Sequence, residues 1–388
     1  MDLWIPYNSC TGCGACSNVC PKKAIILEED ECGFPHPIID NGLCINCELC
    51  KKTCPVYEKP KIVRSSEPIV FAAWSKDQEI RLNSTSGGAF SEIAKQVLLE
   101  GGCVCGASYN FDNMVEHVLI NDIEDLQLIR QSKYVQSDTK EVYKEIKKRL
   151  ANERKIAFCG SPCQVSALLK YIGGDTDNLL TIEFICRGVN SPKAYRSWLR
   201  EIENKNKKQA TRVWFKYKVN GWNKSPRCTR VDFSDGTQQV YFENENTFMT
   251  GYLGPNLYIR PSCSECKFNG MPRQGDITLA DFWGIQKELD DDSGVSLILI
   301  NSVKGQVWYE KIRDNLVSHK RSFEEIHAGN VCFSKSVDLN PKSEEFLKSL
   351  TDTNFSIQIK KYTKESLILK IYKRTKSIFK ICYRKIFN

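Results

Sequence analysis

Cysteine is the residue type through which this sequence could do chemistry. Residues 10–21 read CTGCGACSNVCP and residues 44–55 read CINCELCKKTCP. Each is C-x2-C-x2-C-x3-C-P, and the second copy begins 34 residues after the first. A repeat of this kind is one structural unit used twice. The two-residue gaps let three thiolates converge from a tight loop on one cubane [4Fe–4S] cluster, and in this spacing the fourth thiolate comes from the other copy. Cys10, Cys13, Cys16 and Cys54 are thereby assigned to one cluster, and Cys44, Cys47, Cys50 and Cys20 to a second. Zinc sites are built from two C-x2-C pairs, not from two quartets each closed by Cys-Pro. Gly12 and Gly14 suit a loop whose backbone wraps sulfide. Cys32, between the copies, is left without a role, and His36, flanked by prolines, is expected in a loop.

Outside the repeat, FCGSPCQ (Cys159 and Cys163), FIC (Cys186) and CSEC (Cys263 and Cys266) hold the next candidates. One C-x2-C pair plus two single thiols could hold a third [4Fe–4S] cluster. The same four ligands, Cys163, Cys186, Cys263 and Cys266, could hold zinc, and single cysteines are often no more than buried small hydrophobes. Cys159 has no assigned partner and is expected to be a packing thiol. STSGG, at 84–88, precedes a helical pattern. Its backbone N–H groups and helix N-terminus would favour a pyrophosphate, although an ordinary Ser/Thr cap with a Gly turn reads the same way. No G-x-G-x-x-G follows a strand, so nothing supports a Rossmann dinucleotide site.

The elements that must position these residues follow from periodicity. The segments IVFAAW, CVCGASYN and VEHVLI read as strands, with Cys103 and Cys105 together on one buried face. KIAFC, the helix CQVSALLKYI and LLTIEFIC form a βαβ unit. Its parallel strands end at one edge, where open α/β sheets build sites. The turn carrying Cys163 and the strand end carrying Cys186 should therefore be neighbours. Residues 212–242 read as a β-meander with interleaved basic and aromatic residues. A half-buried strand pair explains that pattern, and nucleic acid is not expected. GDITLADFWGI adds a strand with Asp276 and Asp281 at its ends, and SLILINS another.

The 388 residues are 41% hydrophobic and 26% charged, enough for two or three folded domains. Nineteen cysteines without a secretory leader or an apolar run long enough to span a membrane point to a reducing cytoplasm. The formal charge of +8 is uneven: residues 360–388 carry ten Lys/Arg against one Glu, so the remainder is close to neutral. In that tail Ile368, Ile371, Ile378, Cys382 and Phe387 share a helical face, giving a basic amphipathic helix. It could dock on the body or on a partner, or lie on an anionic membrane surface as a peripheral contact.

The segments STSGGAFSEIAKQVLLEGGCVCGASY, RQSKYVQSD, FCGSPCQVSAL, FICRGVNSP, CSEC and GDITLADFWG run in this order from about residue 70 to 300. Together they resemble the beta subunit of coenzyme F-420 hydrogenases and dehydrogenases, a family in which a dicluster ferredoxin module is often fused in front. The resemblance implies a mixed α+β and α/β fold: a 2x[4Fe–4S] ferredoxin domain at 1–60, a mixed α/β flavin-binding and iron–sulfur domain with a β-meander at 68–340, and the basic C-terminal helix at 355–388. It implies FAD as cofactor, contacted by Ser86, Gly87 and Gly88 and by Ser132, Lys133, Tyr134 and Gln136, with a third cluster on Cys163, Cys186, Cys263 and Cys266. Lys133 and Asp281 are the candidates for catalytic groups. The function implied is an oxidoreductase joining ferredoxin or another redox protein to a two-electron small-molecule substrate, in either direction. A non-catalytic electron-transfer subunit is the alternative. The resemblance leaves the substrate open, although some similar bacterial proteins are linked to surface-polysaccharide synthesis.

Overall fold

The computed structural model describes residues 4–224 and 227–363. The tail from 364 onward, with most of the basic amphipathic helix expected there, lies outside the described residues. At the N-terminus, β1 (Ile25–Glu29) and β2 (Pro35–Ile39) form an antiparallel hairpin. Two one-turn helices, Ala15–Val19 and Leu49–Thr53, each follow one cysteine loop. His36 is therefore in a strand, not in a loop. It is buried, because its ring stacks on Tyr7 with centroids 3.8 Å apart.

The second domain is built on an eight-stranded mixed sheet. In chain order its strands are β3 (Ile69–Ser75), β4 (Cys103–Tyr109), β5 (Val115–Ile120), β6 (Ile156–Gly160) and β7 (Leu179–Phe184), all as expected from periodicity. A three-stranded antiparallel meander follows, β8 (Ala210–Tyr217), β9 (Cys228–Phe233) and β10 (Gln238–Phe242). The sheet is then completed by β11 (Ile277–Asp281), β12 (Ser296–Ile300) and β13 (Leu316–Arg321). Its order is β13-β3-β12-β11-β7-β6-β4-β5. The central strands β11, β7, β6 and β4 are parallel, and antiparallel strands flank them on both sides.

Side chains alternate between the two faces of a strand, and both faces here are covered. Val104, Ala157, Ile182 and Ile298 pack beneath the helices Ala89–Leu99 and Val303–Ile312. Cys103, Cys105, Ile156 and Phe158 face the other way, onto the helices Val142–Ala151 and Pro162–Ile172. Burial on both faces is the reason the parallel strands read as nearly continuous apolar runs. It also fixes Cys103 and Cys105 as fully buried packing thiols. In the meander Val213, Phe215, Val231 and Phe233 are buried, and Arg212 and Arg230 stack on either side of Trp214 at 4.2 and 4.3 Å.

Residues 57–68, YEKPKIVRSSEP, have a polar composition, yet Arg64 buries its side chain in the second domain. There it binds Asp175 at 2.6 Å, Asp276 at 3.5 Å and the carbonyls of Gln274 and Gly275. The second core also continues past 340: Phe346, Leu347, Phe355 and Ile359 pack with Trp198 and Phe248 in one cluster. The helix Phe355–Thr363 thus docks on the body. Among the described residues no helix is long and apolar enough to cross a membrane.

Candidate functional site

The two loops of the repeat have the same backbone. Gly12 and Gly14 adopt positive φ (64° and 78°), and so do Asn46 and Glu48 at the equivalent positions (53° and 57°). Only the first copy needs glycine for a second reason. A Cβ on Gly12 would overlap Gln136 Nε2 and come 2.8 Å from Arg260 Nη1, and one on Gly14 would overlap Thr139 Oγ1. The second copy is exposed, so side chains with φ near +55° are tolerated there at modest strain.

The two cysteine quartets expected from spacing each line one cavity. Cys10, Cys13, Cys16 and Cys54 line one small cavity, and Cys20, Cys44, Cys47 and Cys50 line another. Among the described residues, no three or more of His, Cys, Asp and Glu sit tightly enough for a single ion. The thiols of each set are spread around their cavity instead. Burial, then the charge of Cys54, pushes the Cys13 thiol up to about 12; burial and the charges of Cys13 and Cys10 push Cys16 well above its usual value. Cys13 and Cys16 ionise readily only beside a cationic core, which an iron–sulfur core would supply.

The first loop is held from outside by the second domain. Arg260 donates to the Cys10 carbonyl at 2.7 Å, and Gln136 Nε2 to those of Thr11 and Gly12 at 3.2 and 3.4 Å. Thr139 and Tyr143 donate to the Cys13 carbonyl at 3.0 and 2.9 Å. With its carbonyls engaged outward, the loop turns its N–H groups inward, and Gly12 N donates to Cys10 Sγ at 3.4 Å. These are the outer-shell contacts that fix ligand geometry.

Cys163, Cys186, Cys263 and Cys266 also come together. Cys163 feels the charges of Cys186, Cys266 and Cys263. Burial, then Cys263, raises the Cys186 thiol strongly, and burial lifts Cys263 to about 11. Gly188 N donates to Cys186 Sγ and Phe268 N to Cys266 Sγ, both at 3.4 Å, repeating the Gly12–Cys10 geometry. Cys163 is the second residue of the helix Pro162–Ile172, whose start is capped by Ser161 and Gln164. Ser161 Oγ lies 3.1 Å from Cys163 Sγ. Cys332, which sequence reasoning passed over, also lies near Cys186. The apolar cluster of Cys54, Val56 and Phe268 has Cys163 and Cys266 packed on it, so the third set abuts the first.

Beyond Cys186 a cavity of about 770 Å³ opens at the C-terminal ends of the parallel strands, where open α/β sheets place ligands. Ser86, Gly88, Ser132, Lys133, Tyr134 and Asp281 line it, as does Cys159. Lys133 Nζ donates to the carbonyls of Arg130 and Gln131, and desolvation holds its ammonium well below the usual lysine value. Burial puts the Cys159 thiol at about 12, opposed by the Lys133 charge. Asp281 is engaged by Lys216 and by Trp222 Nε1 at 3.3 Å, and Trp222 stacks on Trp283 at 4.8 Å.

Two residues expected at this cavity do not line it. Gln136 points to the first cysteine loop, where it is bound by Arg260. Gly87 packs against β3 and β12, its N–H on Ser296 Oγ at 3.0 Å. Three residues not anticipated do line it. Lys218 Nζ reaches the carbonyls of Arg81, Ser86 and Ser293, tying the 84–88 loop in place, and desolvation brings it to about 7. Arg187 stacks on Tyr252 at 4.8 Å. His117, 5% exposed, leaves Nδ1 without a partner. A basic, partly aromatic cavity with an orphaned imidazole nitrogen fits an anionic aromatic ligand, the class to which a flavin dinucleotide belongs.

The chain is similar to known proteins over most of its length. Residues 9–57 match the sequence profile of the 4Fe-4S dicluster domain. Residues 70–144 match the profile of the N-terminal region of the coenzyme F420 hydrogenase/dehydrogenase beta subunit, and residues 153–325 match the profile of its C terminus. One component of the F(420)H(2) dehydrogenase of Methanosarcina mazei is 30% identical over 175 residues, 42% of this chain and 48% of that relative. The match thus spans about half the relative's length. An uncharacterized protein of Methanocaldococcus jannaschii is 21% identical over 87% of this chain and 92% of its own length. A chain of the F420-reducing [NiFe] hydrogenase complex from Methanosarcina barkeri superimposes with a TM-score of 0.45 and 17% identity, covering 70% of this chain and 87% of that one.

Proposed function

The chain belongs to the family of coenzyme F420 hydrogenase/dehydrogenase beta subunits, with a 4Fe–4S dicluster domain in front, and from that premise we propose an iron–sulfur flavoprotein that exchanges electrons between a surface redox partner and a two-electron substrate in the cavity. Membership makes it an iron–sulfur electron-transfer protein; the third cluster, the FAD and the substrate chemistry are the proposal. When bound, a cubane cluster carries single electrons and a flavin interconverts one- and two-electron transfer.

The single observation that carries this reading is the serial order of the thiol sets. The set of Cys20, Cys44, Cys47 and Cys50 lies at the surface, with Cys47 exposed and Leu43 and Ile45 more than half exposed beside it. The set of Cys10, Cys13, Cys16 and Cys54 is buried against the second domain. The set of Cys163, Cys186, Cys263 and Cys266 shares an apolar cluster with the first on one side and borders the cavity through Cys186 on the other. Two of these four thiols, Cys186 and Cys266, accept an N–H···S bond like that of Cys10, which favours a third cluster over zinc. At the cavity Arg187, with Lys133 beside it, would hold a dinucleotide's anionic groups, Ser86 and Gly88 would border them, and Lys218 would keep the 84–88 loop in place. Lys133 and Asp281 stand where a proton could be held for the substrate.

Anaerobic purification tests the reading. Iron and acid-labile sulfide near about 12 atoms each per chain, at four iron atoms per cluster, support three clusters, and flavin released by heat supports the cavity assignment. About 8 of each with one zinc removes the third cluster. Absence of flavin leaves an electron-transfer subunit without its own substrate chemistry. Coenzyme F420 is the first compound to offer the loaded protein, because the family carries its name.

A further inference from the structure

Among the described residues, one buried arginine between two of the thiol sets faces no carboxylate. Four arginine side chains are at most 2% exposed: Arg64, Arg81, Arg260 and Arg273. Three of them face carboxylates, Arg64 with Asp175 and Asp276, Arg81 with Asp291, and Arg273 with Glu183. Arg260 has none within ion-pair distance among the described residues. Its guanidinium donates only to neutral acceptors: the carbonyls of Cys10 (2.7 Å) and Pro35 (2.9 Å), Gln136 Oε1 (2.9 Å) and His36 Nε2 (3.2 Å). Asp30 reaches the same imidazole nitrogen at 3.5 Å and stops there. His36 is neutral and adds no second positive charge, because desolvation and the Arg260 charge depress it to about 4.

A guanidinium cannot shed its proton in a protein, and a buried charge without an opposite charge costs several kcal/mol. The opposite charge must come from what surrounds it. On one side the guanidinium lies against the loop of the first set, at Cys10 O and Gly12. On the other, Arg260 begins the turn Arg260-Pro261-Ser262-Cys263 of the third set, where its carbonyl accepts from Cys263 N at 3.0 Å.

We propose that Arg260 is the shared counter-cation of the first and third cysteine-held clusters, placed between them to favour the electron-rich state of each. Four thiolates around an iron–sulfur core leave a net negative charge that grows on reduction, and net charge and nearby hydrogen bonds set the potential. One buried cation between two such sites raises both potentials. The part concerning the third site rests on the reading of that site as a cluster; the part concerning the first rests on the dicluster domain alone.

The test is an EPR-monitored redox titration of the full, cluster-loaded chain with Arg260→Gln and Arg260→Lys. Arg260→Gln should retain its iron while the reduced fraction of at least one centre falls tenfold or more at fixed potential, about 59 mV for a one-electron couple. Arg260→Lys, which keeps the charge, should stay near wild type. The exposed second set, whose loop Arg260 does not touch, should not move in either variant. Loss of iron in Arg260→Gln but not in Arg260→Lys would also support the proposal, since charge would then be what assembly needs. No shift, equal shifts in both variants, or loss of iron in both would overturn it. If the wild-type chain holds only about 8 iron atoms, the third cluster is wrong, and one of the two remaining curves must still move in Arg260→Gln.

Discussion

Cys159 and Cys163 lie four residues apart and have different fates. Cys163 sits at a capped helix start among three other thiols, whereas Cys159 ends β6 and faces Lys133 across the cavity wall. Cys163→Ser should remove about four iron atoms per chain and Cys159→Ser none, as read by iron analysis after anaerobic purification. The two cysteine loops make a second contrast. Gly14→Ala meets both a positive φ and Thr139, and should cost about 1–3 kcal/mol in urea denaturation. Asn46→Gly, at a positive φ on the exposed copy, should stay within about 1 kcal/mol of wild type. A cost for Asn46→Gly as large as that for Gly14→Ala would mean the second loop is also packed against a neighbour.

Among the elements, the segment between the domains behaves unlike its composition. Residues 57–68 have the charge and prolines of a free tether, but Arg64 locks them to the start of β11 through Asp276 and to the 173–178 turn through Asp175. Arg64→Ala would leave Asp276 with Lys304 at 3.3 Å, so its charge would be only partly unbalanced. A loss of about 2–3 kcal/mol is expected, less than the roughly 3–5 kcal/mol for breaking a sole buried pair. Denaturant midpoints report it, and earlier proteolytic cleavage in residues 57–68 would locate it. The parallel strands make the complementary case. β6, β7 and β11 end together, which brings the helix start with Cys163, the strand end with Cys186 and the Asp281 turn to one edge.

For the whole molecule, the order of the thiol sets determines the order of vulnerability. The second set is the exposed one, so brief ferricyanide or chelator treatment should strip about four iron atoms first, and Cys50→Ser should lack that fast phase. Stability should also depend on pH through two buried histidines. Desolvation depresses both His36 and His117 from 6.5 to about 4. Between those values the unfolded chain binds protons that the folded chain refuses, so stability rises with pH. The contribution is complete above about pH 6.5 and is lost as pH falls towards 4. His117→Gln should flatten the change in denaturant midpoint between pH 7 and 5. An unchanged slope would mean that the ring is protonated in the folded protein.

The sequence alone determined the two cysteine quartets, because that spacing is short, repeated and matched to the size of a cluster. It also determined the strands and helices around Cys163 and Cys186, because local periodicity reports burial, and the parallel topology places strand ends side by side. Only the tertiary structure decided what meets across long separations. Nothing near Arg260 marks it as the residue that reaches Cys10, 250 positions away. Gln136 looks the same in sequence whether it faces a cofactor or a cysteine loop, since an amide suits both. Arg64 reads as a solvated charge until Asp175 and Asp276 are brought to it. Spacing encodes what one loop or one sheet edge can hold, whereas pairing between distant elements follows from how their surfaces pack.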